Sequence, residues 1–200
     1  FYGQSPHVWN FDSVTQLFKH QYHLFTEEVN YFLTIDDESA GKRVLQKSSV
    51  SGPSGTVTDF NDFLFHEKDL ESLIRSGKEW YGERFNYDSE KSFSFNIPNL
   101  VFSEPVYVKT NVAAHSLQPS FFRVQANAGN LYDLNISKIS STSLSEYAKV
   151  VSETSSFNST SSNIKLDFEY LSSDNSALAW LNYIEINARR SLIMNTNFLS

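Results

Sequence analysis

The sequence predicts a mainly β protein. An antiparallel β-sandwich of jelly-roll type is expected over residues 88–200, preceded by a smaller, aromatic-rich β segment over residues 1–87 with one short helix near 67–76. Three observations lead there. Aromatic residues make up 15% of the chain, with 17 Phe and 10 Tyr, and such side chains suit the pleated surface of a strand. From Lys91 onward apolar and polar residues alternate in short runs, the period of a half-buried strand. These runs recur at near-regular spacing with polar turns between them, the threading of two packed antiparallel sheets.

In chain order, residues 1–35 hold Trp9, Phe11, Phe18, Tyr22, Phe25, Tyr31 and Phe32 among other aromatics. Asp12 and Ser13 are placed to cap a short helical or turn segment reaching His20. Residues 30–35, NYFLTI, read as a strand, 36–41 as a turn and 42–46, KRVLQ, as the returning strand. Asp36, Asp37 and Glu38 read as a solvated tip, since a calcium loop needs more oxygen ligands at regular spacing. Residues 48–55 are a loop by composition, and 56–66 form a strand that packs Val57 and several Phe. Residues 67–76 read as the helix. Leu70, Leu73 and Ile74 share a face, Glu71 and Arg75 form an i,i+4 pair, and Gly77 stands where a left-handed cap is wanted.

In the second half, Phe93, Phe95 and Ile97 alternate with Ser92, Ser94 and Asn96. Strands follow over 105–114, 120–126 and 131–137, the last two joined by the hairpin turn Asn127-Ala128-Gly129-Asn130. Another lies within 146–157. Ile164, Leu166, Phe168 and Tyr170 alternate against Lys165, Asp167 and Glu169. The last strand, 177–190, is apolar on both faces and is expected inside a sheet covered on both sides. Strict alternation puts Leu178, Trp180, Ile184 and Ile186 on one face, and residues 163–171 read as its hairpin partner.

A formal net charge of -7, with no basic stripe, argues against nucleic acid and against an anionic membrane surface as partners. The chain has no cysteine, which removes a thiol nucleophile, disulfides and thiolate metal sites together. No apolar run approaches the ~20 residues of a membrane-spanning helix. The chain opens on Phe1 without an initiating Met, and is expected to be a piece of a longer protein.

No catalytic set is visible. The serines include no Gly-x-Ser-x-Gly elbow, and no glycine-rich phosphate loop exists. His20 and His23, with Glu27 near, are three apart but lack the His-Glu-x-x-His pattern, so no metal or cofactor is expected. His115 ends a strand and is expected to cap or pack. Asp167 and Glu169 as paired carboxylates most simply point to solvent. The candidate binding residues are Trp80 and Tyr81, in Ser76-Gly77-Lys78-Glu79-Trp80-Tyr81-Gly82-Glu83-Arg84-Phe85. Two glycines around two large aromatics suit either an aromatic plug at the end of a sheet or a binding surface.

Two stretches, SGKEWYGERF at 76–85 and AWLNYIEINARRSL at 179–192, resemble in this order and spacing the region ahead of the peptidase domain in the PorU family. These are gingipain-like cysteine peptidases that act as sortases of the type IX secretion system. FYGQSPHVWNFD, HQYHLFTEEVNYFLT and GKRV extend the resemblance over essentially the whole chain. It implies a non-catalytic N-terminal region of a cell-surface protein at the outer membrane of a Gram-negative bacterium. The parent would cleave C-terminal sorting signals from secreted cargo. The implied partners are the downstream peptidase domain of the same chain, cargo and other secretion-system components. The family's catalytic His and Cys belong to a later domain, and none of the five histidines here takes that role. The alternative is an independent carbohydrate-binding or adhesion sandwich, with exposed Trp and Tyr as its glycan platform.

Overall fold

The apolar run that ends at Arg189 and Arg190 is the central strand of the molecule. In the computed structural model, which describes residues 7–21, 28–32, 45–48, 51–52, 54–75, 79–140 and 146–193, eleven strands follow in order. They are β1 (Val8–Asp12), β2 (Leu17–Gln21), β3 (Asp59–Glu67), β4 (Arg84–Phe85), β5 (Glu90–Asn96), β6 (Val106–His115), β7 (Ser120–Ala126), β8 (Gly129–Ile136), β9 (Lys149–Phe157), β10 (Asn163–Ser172) and β11 (Leu178–Ser191). A four-stranded sheet, β5-β10-β7-β8, faces a five-stranded one, β3-β11-β6-β9, in which the short β4 also pairs with β11. All pairings are antiparallel. From β4 onward each connection crosses between the sheets except the β7–β8 hairpin.

The core lies between the sheets. β6 sends Val106, Val108, Val112 and Ala114 inward, β7 Phe122 and Val124, and β10 Ile164, Leu166 and Phe168. Each fully buried aliphatic or aromatic side chain contributes roughly 1.5–3 kcal/mol, so these period-two faces carry most of the stabilisation. One polar pair sits among them: Thr110 Oγ1 and Tyr132 Oη, 2.6 Å apart, join the two sheets, and burial pushes the Tyr132 phenol up.

β11 departs from strict alternation. Leu181 pairs with Val112 and Tyr183 with Asn111, so Asn182 is an extra residue, a β-bulge. Ala179 and Leu181 point into the core, and so do Ile184, Ile186 and Ala188 beyond the bulge. Leu178 and Trp180 therefore lie on the opposite face from Ile184 and Ile186, not on the same one as expected. The expected hairpin partner is corrected too: β10 belongs to the other sheet and pairs with β5 and β7.

The expected helix at 67–76 is absent, and no helix occurs among the described residues. Glu67 ends β3, and Glu71 forms an isolated bridge with Tyr81. Leu73 and Ile74, spaced as for a helix face, occupy a turn instead. Gly77, the expected cap, lies outside the described residues. So do most of 30–46, where Asn30, Tyr31 and Phe32 form no strand. The expected division at 87/88 falls within one sandwich, because β3 and β4 precede it and pair with β11.

The first segment, expected as a short helix or a turn after Asp12, is a ribbon with a turn at residues 13–16. β1 and β2 pair directly, and Asp12 Oδ1 accepts the Val14 amide at 2.8 Å in the turn between them. Trp9 and Phe18 lie against Phe63, and His20 stacks on Phe65 at 4.0 Å. The ribbon thus lies on the outer face of the five-stranded sheet. Asn187 holds it at both polarities, accepting from the Phe18 amide at 2.7 Å and donating to the Phe18 carbonyl at 3.0 Å. Glu185, 2% exposed, accepts from the His20 amide at 3.0 Å and from Lys109 Nζ at 3.1 Å.

Two predictions follow from this architecture. Asn127 and Ala128 both have positive φ, 48° and 68°, in the two-residue β7–β8 turn. The left-handed conformation costs a residue with a Cβ about 1–2 kcal/mol, while glycine costs about 0.5–1 through its freedom in the unfolded chain. Ala128→Gly is expected to raise stability by up to about 1 kcal/mol in urea unfolding. Separately, burial pushes the Glu83 carboxyl up, but hydrogen bonds from His66 and Lys68 outweigh it and hold it down at about 2, against an ordinary 4.5. A depressed carboxyl contributes stability above its unfolded value and loses it as pH falls through the folded one. The chain should therefore lose stability between pH 4.5 and 2, and Glu83→Gln should flatten that part of the curve in urea titrations.

Candidate functional site

The segment after β3 returns over the end of the five-stranded sheet. Tyr81 N–H donates to the Glu71 carbonyl at 2.8 Å, and the Leu70 and Glu71 amides both donate to the Tyr81 carbonyl at 2.9 Å. The chain then joins β11: Gly82 N–H donates to Leu181 O at 2.8 Å, and Leu181 N–H to Glu83 O at 2.9 Å. Glycine at 82 allows a close approach: a Cβ there would lie 3.0 Å from the Lys68 carbonyl oxygen and 3.3 Å from that of Leu181, so the neighbouring backbone would have to give by a few tenths of an ångström. This strap buries Tyr81 against Trp180 and Ala113, with Leu73, Ala148 and Leu178 around them. The Trp180 indole, wholly buried, donates to Glu71 Oε2 at 2.8 Å. The glutamate expected in a helical ion pair with Arg75 is thus the partner of a buried indole.

The two predicted binding residues part company here. Tyr81 is 3% exposed and Trp80 42%. Burial pushes the Tyr81 phenol up, and Glu79 beside it adds to the effect. The side chain forms part of a groove of about 220 Å³ together with Leu73, Ile74, Tyr147, Ala148 and Val150, and Glu79 and Glu146 supply its acidic groups. Ile74, Tyr147 and Val150 are exposed. The Tyr147 backbone carbonyl accepts from His115 Nδ1 at 2.6 Å, and the two rings stand 4.7 Å apart.

Sequence reasoning missed Ile74, Tyr147 and Val150. The signal for Val150 was its neighbour Val151: two adjacent apolar residues at the start of an edge strand put one of them on the outer face.

The other candidates are not brought together. His20 is in the ribbon itself, its ring stacked on Phe65, His66 bonds Glu83 at 2.9 Å, and His23 and Glu27 lie outside the described residues. Asp167 pairs with Lys165 at 2.6 Å and Glu169 with Arg123 at 3.4 Å. Among the described residues no group of three or more His, Asp or Glu is placed to hold a metal, and no helix is long and apolar enough to cross a membrane. The groove offers an apolar floor with two carboxylates, Glu79 and Glu146, in its lining.

The strap's energetics separate its two aromatics. Tyr81→Ala should cost about 3–5 kcal/mol, the range for emptying a large buried aromatic site. Trp80→Ala should change stability by less than about 0.5 kcal/mol, as for an ordinary surface position. Glu71→Ala, which leaves the buried indole N–H unsatisfied, should cost about 1–3 kcal/mol. Urea midpoints of the three variants check the order.

No protein-family model matches the chain, and no curated protein does. Among solved structures, latent dimeric PorU from Porphyromonas gingivalis aligns over 94% of this chain with a TM-score of 0.67 at 15% identity. The chain spans 18% of that protein's length. A CBM36 carbohydrate-binding module in complex with calcium and xylotriose aligns over 65% of this chain and 99% of its own, at 10% identity and a TM-score of 0.40. A family 35 carbohydrate-binding module from Clostridium thermocellum aligns over 65% and 98%, at 13% identity and a TM-score of 0.38. These two likenesses are too slight to carry an argument. The chain therefore has the fold of a part of PorU, the protein of the family that its own motifs resemble.

Proposed function

We propose that the chain is a non-catalytic N-terminal region of a cell-surface type IX secretion sortase. In this reading it is a jelly-roll unit at the outer membrane that supports the peptidase domain of its own chain, or contacts secreted cargo and other secretion components. The carrying observation is the agreement of two independent likenesses, the ordered sequence motifs and the fold over 94% of the chain. The motifs also have structural work. Trp-Tyr-Gly-Glu at 80–83 is the strap, whose glycine lies close under the Lys68 carbonyl. Asn-Ala-Arg-Arg at 187–190 ends β11: Arg189 bonds Asp59 and Asn61, and Arg190 bonds Asp62 and the Pro98 carbonyl. A likeness resting on residues the fold requires supports common architecture.

The absence of cysteine places the family's nucleophile outside these 200 residues. The groove beside the strap, with exposed Ile74 and Tyr147 and the neighbouring Trp80, is the first surface for partner contact. In the longer protein, Trp80→Ala combined with Ile74→Ser is expected to lower cargo processing at least tenfold while the isolated chain keeps its urea midpoint. Unchanged processing, with a saturable change in tryptophan fluorescence on adding glycans, would overturn the accessory role and favour a carbohydrate-binding module. The coding sequence beyond Ser200 is expected to continue into a domain with a His and a Cys in gingipain-like context. A stop codon or a further run of sandwich domains would contradict it.

A further inference from the structure

The two flanks of the sandwich differ. On one, the edge strands β8 and β9 lie against each other. On the other, β3 and β5 end their sheets without pairing among the described residues, and a groove of about 700 Å³ runs between them, lined by Phe65, His66, Lys68, Glu83, Lys91 and Phe93 among others. The direction of the unpaired groups on β5 follows from its ladder. Tyr170 N–H donates to Ser89 O, and Ile97 N–H to Ser162 O, both at 2.8 Å, one at each end of the β5–β10 pairing. That pairing runs without a register shift from Glu90 to Asn96. Odd-numbered residues therefore bond β10. The amides and carbonyls of Ser92, Ser94 and Asn96 point off the edge.

We infer that this edge of β5 is a docking site for an extended segment of a partner polypeptide, which adds as a fifth strand to the four-stranded sheet. Three features favour a strand as occupant. Proteins blunt free edges with proline, bulges or charge, and β5 has no proline, no bulge and no charge from Ser92 to Asn96. A segment seven residues long, about 23 Å when extended, matches its length. The groove's two lysines are already paired, Lys91 with Asp88 at 2.6 Å and Lys68 with Glu83 at 2.9 Å, and Glu90 is the remaining charge, at the start of β5. From Ser92 to Asn96 the edge therefore offers backbone groups rather than charge. Ser92 and Ser94 are exposed on the outer face, while Phe93, in ring contact with His66 at 4.7 Å, points inward. The incoming strand must accordingly alternate, apolar toward Phe93 and His66 and polar toward solvent. This inference stands on the flank alone and does not depend on the sortase reading.

The test uses the 200-residue chain and a synthetic peptide, IKLDFEY, the sequence of residues 164–170, which has the required length and alternation. Amide hydrogen exchange is read by NMR. The peptide is expected to slow exchange of the Ser92, Ser94 and Asn96 amides at least tenfold. The same peptide methylated on every interior backbone nitrogen should give no protection. Ser94→Pro, which removes one outward N–H at an edge position where proline is tolerated, should weaken binding at least tenfold, and Ser94→Ala should leave it unchanged. Should the proline variant fail to fold, the methylated peptide decides. Amides already protected in the free chain, equal binding of the methylated peptide, or no protection up to about 1 mM peptide would each overturn the inference.

Discussion

One unpaired residue organises the molecule. Side chains alternate along a strand, so an extra residue reverses the face of everything beyond it. At Asn182 that reversal puts Leu181 and Ile184, three positions apart, into the same core. Both halves of β11 thereby fill the space between the sheets. The bulge also coincides with a change of neighbour: β4 and the strap pair with β11 before it, and β3 pairs with it from Tyr183 onward. Asn182 spans the irregularity, its Nδ2 donating to Asn111 Oδ1 at 3.0 Å.

The outer face of β11 is consequently of two kinds. Before the bulge it is apolar, Leu178 and Trp180, and the strap covers it with Tyr81 and Leu73. Beyond the bulge it is polar, Glu185 and Asn187, yet these are buried, because they bond the backbone of β2. A buried polar side chain without a partner costs about 1–3 kcal/mol. The ribbon's backbone removes that cost, and its aromatics add Trp9 and Phe18 over Phe63. The covered, two-faced strand is what places the groove beside the strap.

Most sandwich strands were legible because they read as period-two patterns bounded by turn residues, as in β5, β6 and β10, while β11 was legible as an apolar run. The pairing was not legible. The short link between β10 and β11 suggests a hairpin, but inner faces can meet across sheets as well as within one, and the alternation of β10 fits either. The false helix has a physical cause: Leu70, Leu73 and Ile74 are spaced for a helix, yet the Tyr81 backbone takes both the amide and the carbonyl of Glu71, which in a helix would bond residues 67 and 75. Of the candidate site, the stretch around Trp80 and Tyr81 was found by composition. Which of the two is buried depends on Trp180, a hundred residues away, and nothing local encodes it.

The fold is like a part of PorU over 94% of the chain, and the motifs at 80–83 and 187–190 fall at the strap and at the end of β11. The central claim is that the bulge sets the faces of β11, and paired variants at one position test it most directly. Asn182→Ala keeps the extra residue and should retain cooperative urea unfolding, with a loss of about 1 kcal/mol for the missing hydrogen bond. Deleting Asn182 forces Trp180 inward or Ile184 and Ile186 outward, and should abolish cooperative unfolding. A deletion variant that unfolds cooperatively at the midpoint of Asn182→Ala would contradict the account.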